Sequence, residues 1–214
     1  MIYFISDLHG GQDTDGLMEY IRNCNDNDLL IILGDIELHF RDTEKNREFT
    51  EFFEGLECNI AFIDGNHENF THLLSLPEEI WCGGRVHRLS KNIVHLCRGQ
   101  VFSINGNTFF TMGGCKSSQK WKDQGLWWPE EDPTEEEVQE GYKNLKAHGN
   151  KVDYILTHFY NPSDPAPSEN TLQGILKYID KKVEFKHWYA GHWHKEENLD
   201  PKHTIVFKNI VPLE

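Results

Sequence analysis

This sequence predicts an α/β fold in which strand–helix repeats give way to antiparallel strands, and three observations carry the prediction. Short apolar runs recur and stop abruptly at polar residues, as buried parallel strands do. Segments with apolar residues at helical spacing separate the first of these runs. Past them, Asn105-Gly106 stands between two strand-like segments and marks a hairpin turn.

Taken in order, Ile2 to Ile5 is the first buried strand, ending at Ser6-Asp7. A helix is expected from Gly16 to about Asn23, because Leu17, Tyr20 and Ile21 fall at helical spacing. Leu29 to Leu33 is the second strand and stops at Gly34-Asp35. The next helix runs from about Thr43 to Leu56, and its stripe of Phe49, Phe52, Phe53 and Leu56 reads as core. Ile60 to Ile63 is the third strand, ending at Asp64-Gly65-Asn66-His67. A short helix follows, and Pro77 must stop it. Val101 to Ile104 and Thr108 to Met112 form the hairpin.

Trp121 to Pro133 reads as an irregular, acidic and aromatic loop. Thr134-Glu135-Glu136-Glu137 is a capping box that opens a helix to about Ala147. Tyr154 to Leu156 is a strand ending at Thr157-His158, and Asn161 to Pro167 is a proline-rich loop. A helix from Thr171 to Ile179 tolerates Gly174. His187 to Ala190 is strand-like and ends at Gly191-His192-Trp193-His194, and a last strand covers about Thr204 to Val211. No repeat and no long linker divides the chain, so a single domain over residues 1–214 is expected.

Composition narrows the class. A formal charge of −14 disfavours a general coat for nucleic acid or anionic membrane. No apolar run is long enough to span a bilayer, and the N-terminal segment lacks the basic start of a signal peptide. Cys24, Cys58, Cys82, Cys97 and Cys115 are odd in number and form no C-x-x-C pair, so free thiols and a cytoplasmic setting are expected. The acid is unevenly spread: residues 80–122 hold no Asp or Glu, yet carry Arg85, Arg88, Lys91, Arg98, Lys116, Lys120 and Lys122. That segment is either a local anion-binding surface or scattered solvated cations.

Five times an apolar strand ends in a cluster of Asp, Asn or His: Asp7-Leu8-His9, Gly34-Asp35, Gly65-Asn66-His67, Thr157-His158 and Gly191-His192-Trp193-His194. Ligands of such sheets bind beyond the carboxyl ends of the strands, so distant clusters can converge there. Carboxylate, amide oxygen and imidazole suit manganese, iron or zinc ions, and no cysteine lies in any cluster. Glycine before Asp35, Asn66 and His192 allows a sharp turn at each strand end. Asp7 and His9, two apart, point the same way if strand geometry persists between them.

In this order, the clusters resemble the calcineurin-like metallophosphoesterase superfamily over residues 7 to 194. The resemblance implies a two-sheet mixed β-sandwich flanked by helices, with an insertion at about 116–150 near the site. It also implies two divalent metal ions, manganese foremost, with iron or zinc admissible. Asp7, His9 and His194 would hold the first ion, and Asn66, His158 and His192 the second. Asp35 would bridge them, having two oxygens to share, and His67 would stand beside them as proton donor or phosphate ligand. The reaction implied is hydrolysis of small phosphomono- or phosphodiesters by a metal-bridged hydroxide. The related protein phosphatases carry Gly-Asp-x-x-Asp-Arg-Gly, whereas here Leu38 replaces the second Asp and the phosphate-clamping Arg is missing. Phosphoprotein phosphatase activity is therefore in doubt, and Glu37 is a candidate to orient His67.

Two other readings remain: a catalytically silent scaffold of the same fold, and a metal-dependent nuclease. Scaffolds typically lose ligands, and here all seven are present. A nuclease needs a basic groove that this acidic chain does not announce. The histidines outside the clusters, His39, His72, His87, His95, His148, His187 and His203, read as packed or solvated residues.

Overall fold

In the computed structural model, which describes residues 1–11, 15–21, 23–161 and 163–213, the apolar runs become strands of two mixed sheets. The first half of the chain gives β1 (Ile2–Ile5), α1 (Asp15–Ile21), β2 (Leu29–Leu33), α2 (Glu44–Glu54), β3 (Asn59–Ile63), α3 (Phe70–Leu73), β4 (Glu78–Trp81), β5 (Gly84–Arg88) and β6 (Ile93–Leu96). Then follow β7 (Gln100–Ile104), β8 (Asn107–Met112), α4 (Gln119–Asp123), a 3-10 turn (Pro129–Glu131) and α5 (Glu135–Ala147). The chain continues through β9 (Tyr154–Thr157), α6 (Leu172–Lys182), β10 (His187–Ala190), β11 (Glu197–Asp200), β12 (His203–Ile205) and β13 (Val211–Pro212).

One sheet has the order β13-β1-β2-β3-β6-β5-β4, with β1, β2, β3 and β6 parallel. The other has the order β11-β12-β10-β9-β8-β7, with β8, β9, β10 and β12 parallel. Strand β2 shows how the layers form. Leu29, Ile31 and Leu33 enter the apolar cluster between the sheets, together with Phe109, Leu156 and Tyr189 of the other sheet. Leu30 and Ile32 point the opposite way and pack with Leu17 of α1 and Phe53 of α2. On the far side, Ile155 of β9 packs against Val138 and Leu145 of α5 and Ile175 of α6. The result is a two-sheet sandwich with helices outside. Burying each large aliphatic side chain contributes roughly 1.5–3 kcal/mol, so β2 alone supplies on the order of 10 kcal/mol before chain entropy is counted.

Several elements depart from the sequence-based expectations. The first helix ends at Ile21; its expected continuation passes through Arg22, which lies outside the described residues, as does Pro162 of the proline-rich loop. In the α2 stripe Phe53 is buried, but Phe52 is 38% exposed, so that position is not core. The expected loop from Trp121 to Pro133 contains the end of α4 and the 3-10 turn. The last strand is two strands, β12 and β13, on different sheets. Strands β4, β5, β6 and β11 were not anticipated from the sequence. β4 and β11 are edge strands exposed along most or all of their length, and β5 and β6 carry His87 and His95 among their buried residues, on the face away from the inter-sheet core.

The acid-free segment forms neither an anion surface nor a set of solvated cations at its arginines. Arg85 pairs with Glu78 and Glu140, and Arg88 with Glu79. Arg98 is buried and pairs with Asp64 and Glu137. Their carboxylates come from outside the segment, which is why its composition misled. Among the described residues, no helix is long and apolar enough to cross a membrane.

Candidate metal centre

The residues that follow β1, β2, β3, β9 and β10 meet at one end of the sandwich, and both sheets contribute. Backbone hydrogen bonds lace the turns together: Asp7 N–H donates to Gly34 O, His9 N–H to Asp35 O and Gly191 N–H to His158 O, at 3.1, 2.9 and 2.9 Å. Asp7 and His9 do converge, but not by continued strand geometry. Strand β1 ends at Ile5, and both residues are left-handed, with φ of 58° and 43°. The same two-residue alternation recurs at Asp35 and Glu37 (54°, 61°) and at His192 and His194 (72°, 49°). Left-handed residues other than glycine each cost on the order of 1–3 kcal/mol and gather where a site over-determines the backbone.

The three glycines also act differently from one another. Gly34 needs its freedom, with φ of 91°. Gly65 and Gly191 are there for close approach. A Cβ on Gly65 would sit 2.1 Å from Asp35 Oδ1, and one on Gly191 would sit 1.9 Å from Ser6 Oγ.

Two groups of donors result. In the first, His9 Nε2 faces His194 Nε2 at 2.9 Å, and His194 Nε2 lies 3.3 Å from Asp7 Oδ1. Asp7 Oδ2 accepts from His192 N–H at 2.9 Å, while Oδ1 is buried without completing a hydrogen bond. In the second, His158 donates through Nδ1 to Leu33 O at 2.8 Å, so its Nε2 turns toward His192 Nδ1 at 3.2 Å. Asn66 donates through Nδ2 to Ser117 Oγ at 3.1 Å and leaves Oδ1 buried and unpartnered. Asp35 stands between the groups. Its Oδ2 lies 3.5 Å from His158 Nε2 and 3.8 Å from His9 Nε2, whereas its Oδ1 is taken by His67 N–H at 2.7 Å. The oxygen open to both sides is therefore a single atom, Oδ2, and not one oxygen for each.

Unpartnered buried oxygens on Asp7 and Asn66, and imidazole nitrogens turned toward one another, are costly in a bare protein and are satisfied by a cation. The donor set is oxygen and imidazole, suited to borderline or hard divalent ions.

The calcineurin-like phosphoesterase family (Metallophos) matches residues 1–196. This chain belongs to that family. A solved structure of a protein of unknown function from Aquifex aeolicus is similar at 18% identity, over 86% of this chain and 87% of that chain, with a TM-score of 0.42, a likeness too loose to bear on the site. No curated protein matches the chain. Membership makes the chain a metallophosphoesterase at the superfamily level, a family of hydrolases with divalent metal cofactors that also has inactive members.

The remaining polar groups of this phosphoesterase surround the two donor groups. Glu37 Oε1 accepts from His9 Nδ1 at 3.0 Å, and His67 Nδ1 is farther, at 3.7 Å and without a hydrogen bond. Glu37 thus orients His9, not His67, and its carboxylate leaves His9 Nε2 free to ligate. Glu68, whose role sequence reasoning missed, is buried and accepts from the N–H groups of Ile36 and Glu37. It ties the turn after β2 to the turn after β3. Its signal was the Gly-Asn-His-Glu run itself, in which an acid follows the donors.

Charge is finely divided here. Burial opposes ionisation of Asp35, but the adjacent His158 outweighs it and holds the carboxyl well below the usual range. Burial likewise opposes charge on His158, yet Asp35 raises it to about 10. His192 is pushed down to about 4, by burial first and by His158 second. Burial also lowers His67, whereas His9, against its burial, is raised by Glu37.

Proposed function

We propose that this metallophosphoesterase hydrolyses small phosphomono- or phosphodiesters with two divalent cations, manganese foremost, in the cytoplasm. One cation falls to Asp7, His9 and His194, the other to Asn66, His158 and His192, and Asp35 is shared. The observation that carries the reading is Asp35 Oδ2, which faces one imidazole of each group at 3.5 and 3.8 Å. Two such ions, when bound, supply positive charge for an anionic ester and bring the acidity of water near neutrality.

The chain's own residues have separate tasks. Asp7, Asn66 and two of the four ligand imidazoles, His9 and His158, are held by second partners, so they are oriented in advance. His67 and Lys116, with Ser117, Ser118 and Trp121, line an open cavity of about 330 Å³ beside the donors, sized for a small ester. Trp121 meets the His67 ring edge-on at 4.6 Å and limits where that ring can turn. Burial keeps His67 neutral in the resting chain, so it presents one N–H to a phosphate oxygen. A bound phosphate raises its proton affinity, and it can then protonate the leaving alkoxide. Arg85, Arg88 and Arg98 take no part, being paired elsewhere. That pairing also leaves no arginine groove from residues 80–98 for a nucleic acid strand.

The test is a screen of the full chain with added Mn2+ on p-nitrophenyl phosphate, bis-p-nitrophenyl phosphate and 2′,3′-cyclic nucleotides, beside Asp35→Asn. Turnover of at least one ester by the chain, lost in the variant, is expected. A chain that binds Mn2+ but turns over none of them is a scaffold, and the hydrolase reading fails.

A further inference from the structure

Three residues outside that centre, none of them expected to act together, share one face of the first sheet. His87 on β5 stands directly opposite His95 on β6. Cys97 follows His95 by two positions, so it projects to the same side, away from Val86, Val94 and Leu96 of the inter-sheet core. All three are buried. His87 Nδ1 lies 3.0 Å from His95 Nδ1 and 3.7 Å from Cys97 Sγ. The rings are nearly parallel, at 5°, with centroids 5.3 Å apart, so they meet at their nitrogen edges.

A second observation fixes the protons. Asp64 Oδ2 accepts from Arg98 Nε and Nη2 at 2.9 and 2.6 Å, and Oδ1 lies 3.0 Å from His95 Nε2. An ionised carboxylate only accepts, so His95 Nε2 carries a hydrogen, and in the neutral ring that leaves Nδ1 as the bare nitrogen. A carboxylate–imidazole pair of this kind orients a metal ligand and raises its basicity. The spacing fits as well. Zinc bonds of roughly 2.0–2.1 Å to nitrogen and 2.3 Å to sulfur, at tetrahedral angles, separate two nitrogens by about 3.3 Å and nitrogen from sulfur by about 3.6 Å.

We propose that His87 Nδ1, His95 Nδ1 and Cys97 Sγ form a separate cation site for a thiophilic divalent ion of the zinc class. The fourth position opens into a cavity of about 180 Å³, lined also by Glu78, Phe70 and Leu73. On binding, the Cys97 S–H bond breaks and its proton goes to solvent, while His87 carries its one hydrogen on Nε2; one proton is released per ion. His87 is available as a neutral ligand: burial, then His95, pushes it down to about 4. Burial pushes the Cys97 thiol up to about 12, so the ion itself must supply the charge that ionises it. The site would act as a brace. Through His95 it pins Asp64, the residue that leads into Gly65-Asn66-His67.

The test loads the full chain with Mn2+ and then titrates in Co2+, following the near-ultraviolet thiolate-to-cobalt band and bound cobalt. The oxygen-and-imidazole centre has no thiolate among its proposed ligands, so the band reports this site alone. The chain should show the band. Cys97→Ser should lose it together with one equivalent of Co2+, and Cys115→Ser, beside His192, should keep it. His87→Gln, with circular dichroism as the folding check, should weaken Co2+ binding at this site at least tenfold. Absence of the band in the unmodified chain overturns the proposal. So does its persistence in Cys97→Ser, its loss in Cys115→Ser instead, or unaltered Co2+ binding in His87→Gln.

Discussion

Histidines converge at two places in this molecule, and the two are built in opposite ways. At the strand ends, Asp7, His9, Asp35, Asn66, His158, His192 and His194 come from five separate segments and both sheets. Their donors are oxygens and imidazoles, and His194 is half-exposed. Across β5 and β6, His87, His95 and Cys97 come from one antiparallel pair, carry a thiol and are buried beside a small cavity. The first holds its backbone in left-handed turns; the second uses ordinary strand register. The difference teaches that convergence made from strand ends lies open to solvent and substrate, while convergence within a sheet face lies against packed side chains and suits a bracing role.

The comparison breaks most sharply at Asp35. Asp35→Asn should abolish turnover and release both cations, since one oxygen serves both groups; metal analysis of the purified variant beside an ester assay checks this. Normal metal content with normal turnover would return Asp35 to a purely structural role. A smaller loss is expected from His67→Ala, with kcat falling roughly 10²–10⁴-fold and cation content unchanged. The fall should be larger for esters with poor leaving groups, and an equal fall for good and poor ones would argue against proton donation.

Glu37→Gln should weaken cation binding at the open centre by roughly 10–100-fold, because it orients His9 from behind. Titration calorimetry with Mn2+ measures it, and Co2+ binding at the β5–β6 cluster should be untouched. The gentlest lever is pH. His158 in the cation-free chain keeps its proton up to about 10, and a ligating imidazole must give that proton up. Mn2+ affinity should therefore rise with pH toward 10, by at most about tenfold per unit for one displaced proton. For the cation-free fold the signs differ. The raised His158 contributes stability that is complete below about 6.5 and is lost as pH rises through 10. His192, lowered to about 4, makes stability fall as pH drops below about 6.5. Melting curves of the chelated chain should therefore peak near pH 6.5, falling on either side, and a flat profile would remove both histidines from the titration.

Much of this was legible in the sequence because it is periodic or punctuated. The buried strands β1, β2 and β3, the hairpin at Asn105-Gly106 and the Thr134 cap of α5 were all located, and the five strand-end clusters were found as one set. Edge strands such as β11, exposed along its whole length, leave no apolar trace to read. The arginines of residues 80–98 were misread because their acids lie outside that segment, at Glu78 and Glu79 across the β4–β5 hairpin and at Asp64, Glu137 and Glu140 farther away in the chain.

The sequence by itself determined which residue types stand at each strand end, and hence that oxygen and imidazole donors would gather there. Only the tertiary structure decided which atoms face which. Asp35 offers one oxygen because His67 N–H holds the other, and Glu37 serves His9 because the two turns cross beside it. It also brought His87, His95 and Cys97 into a single cluster. The physical reason is that strand patterning is local and survives in the order of residues. Pairing across a sheet or between two sheets depends on register and packing, which no short segment contains.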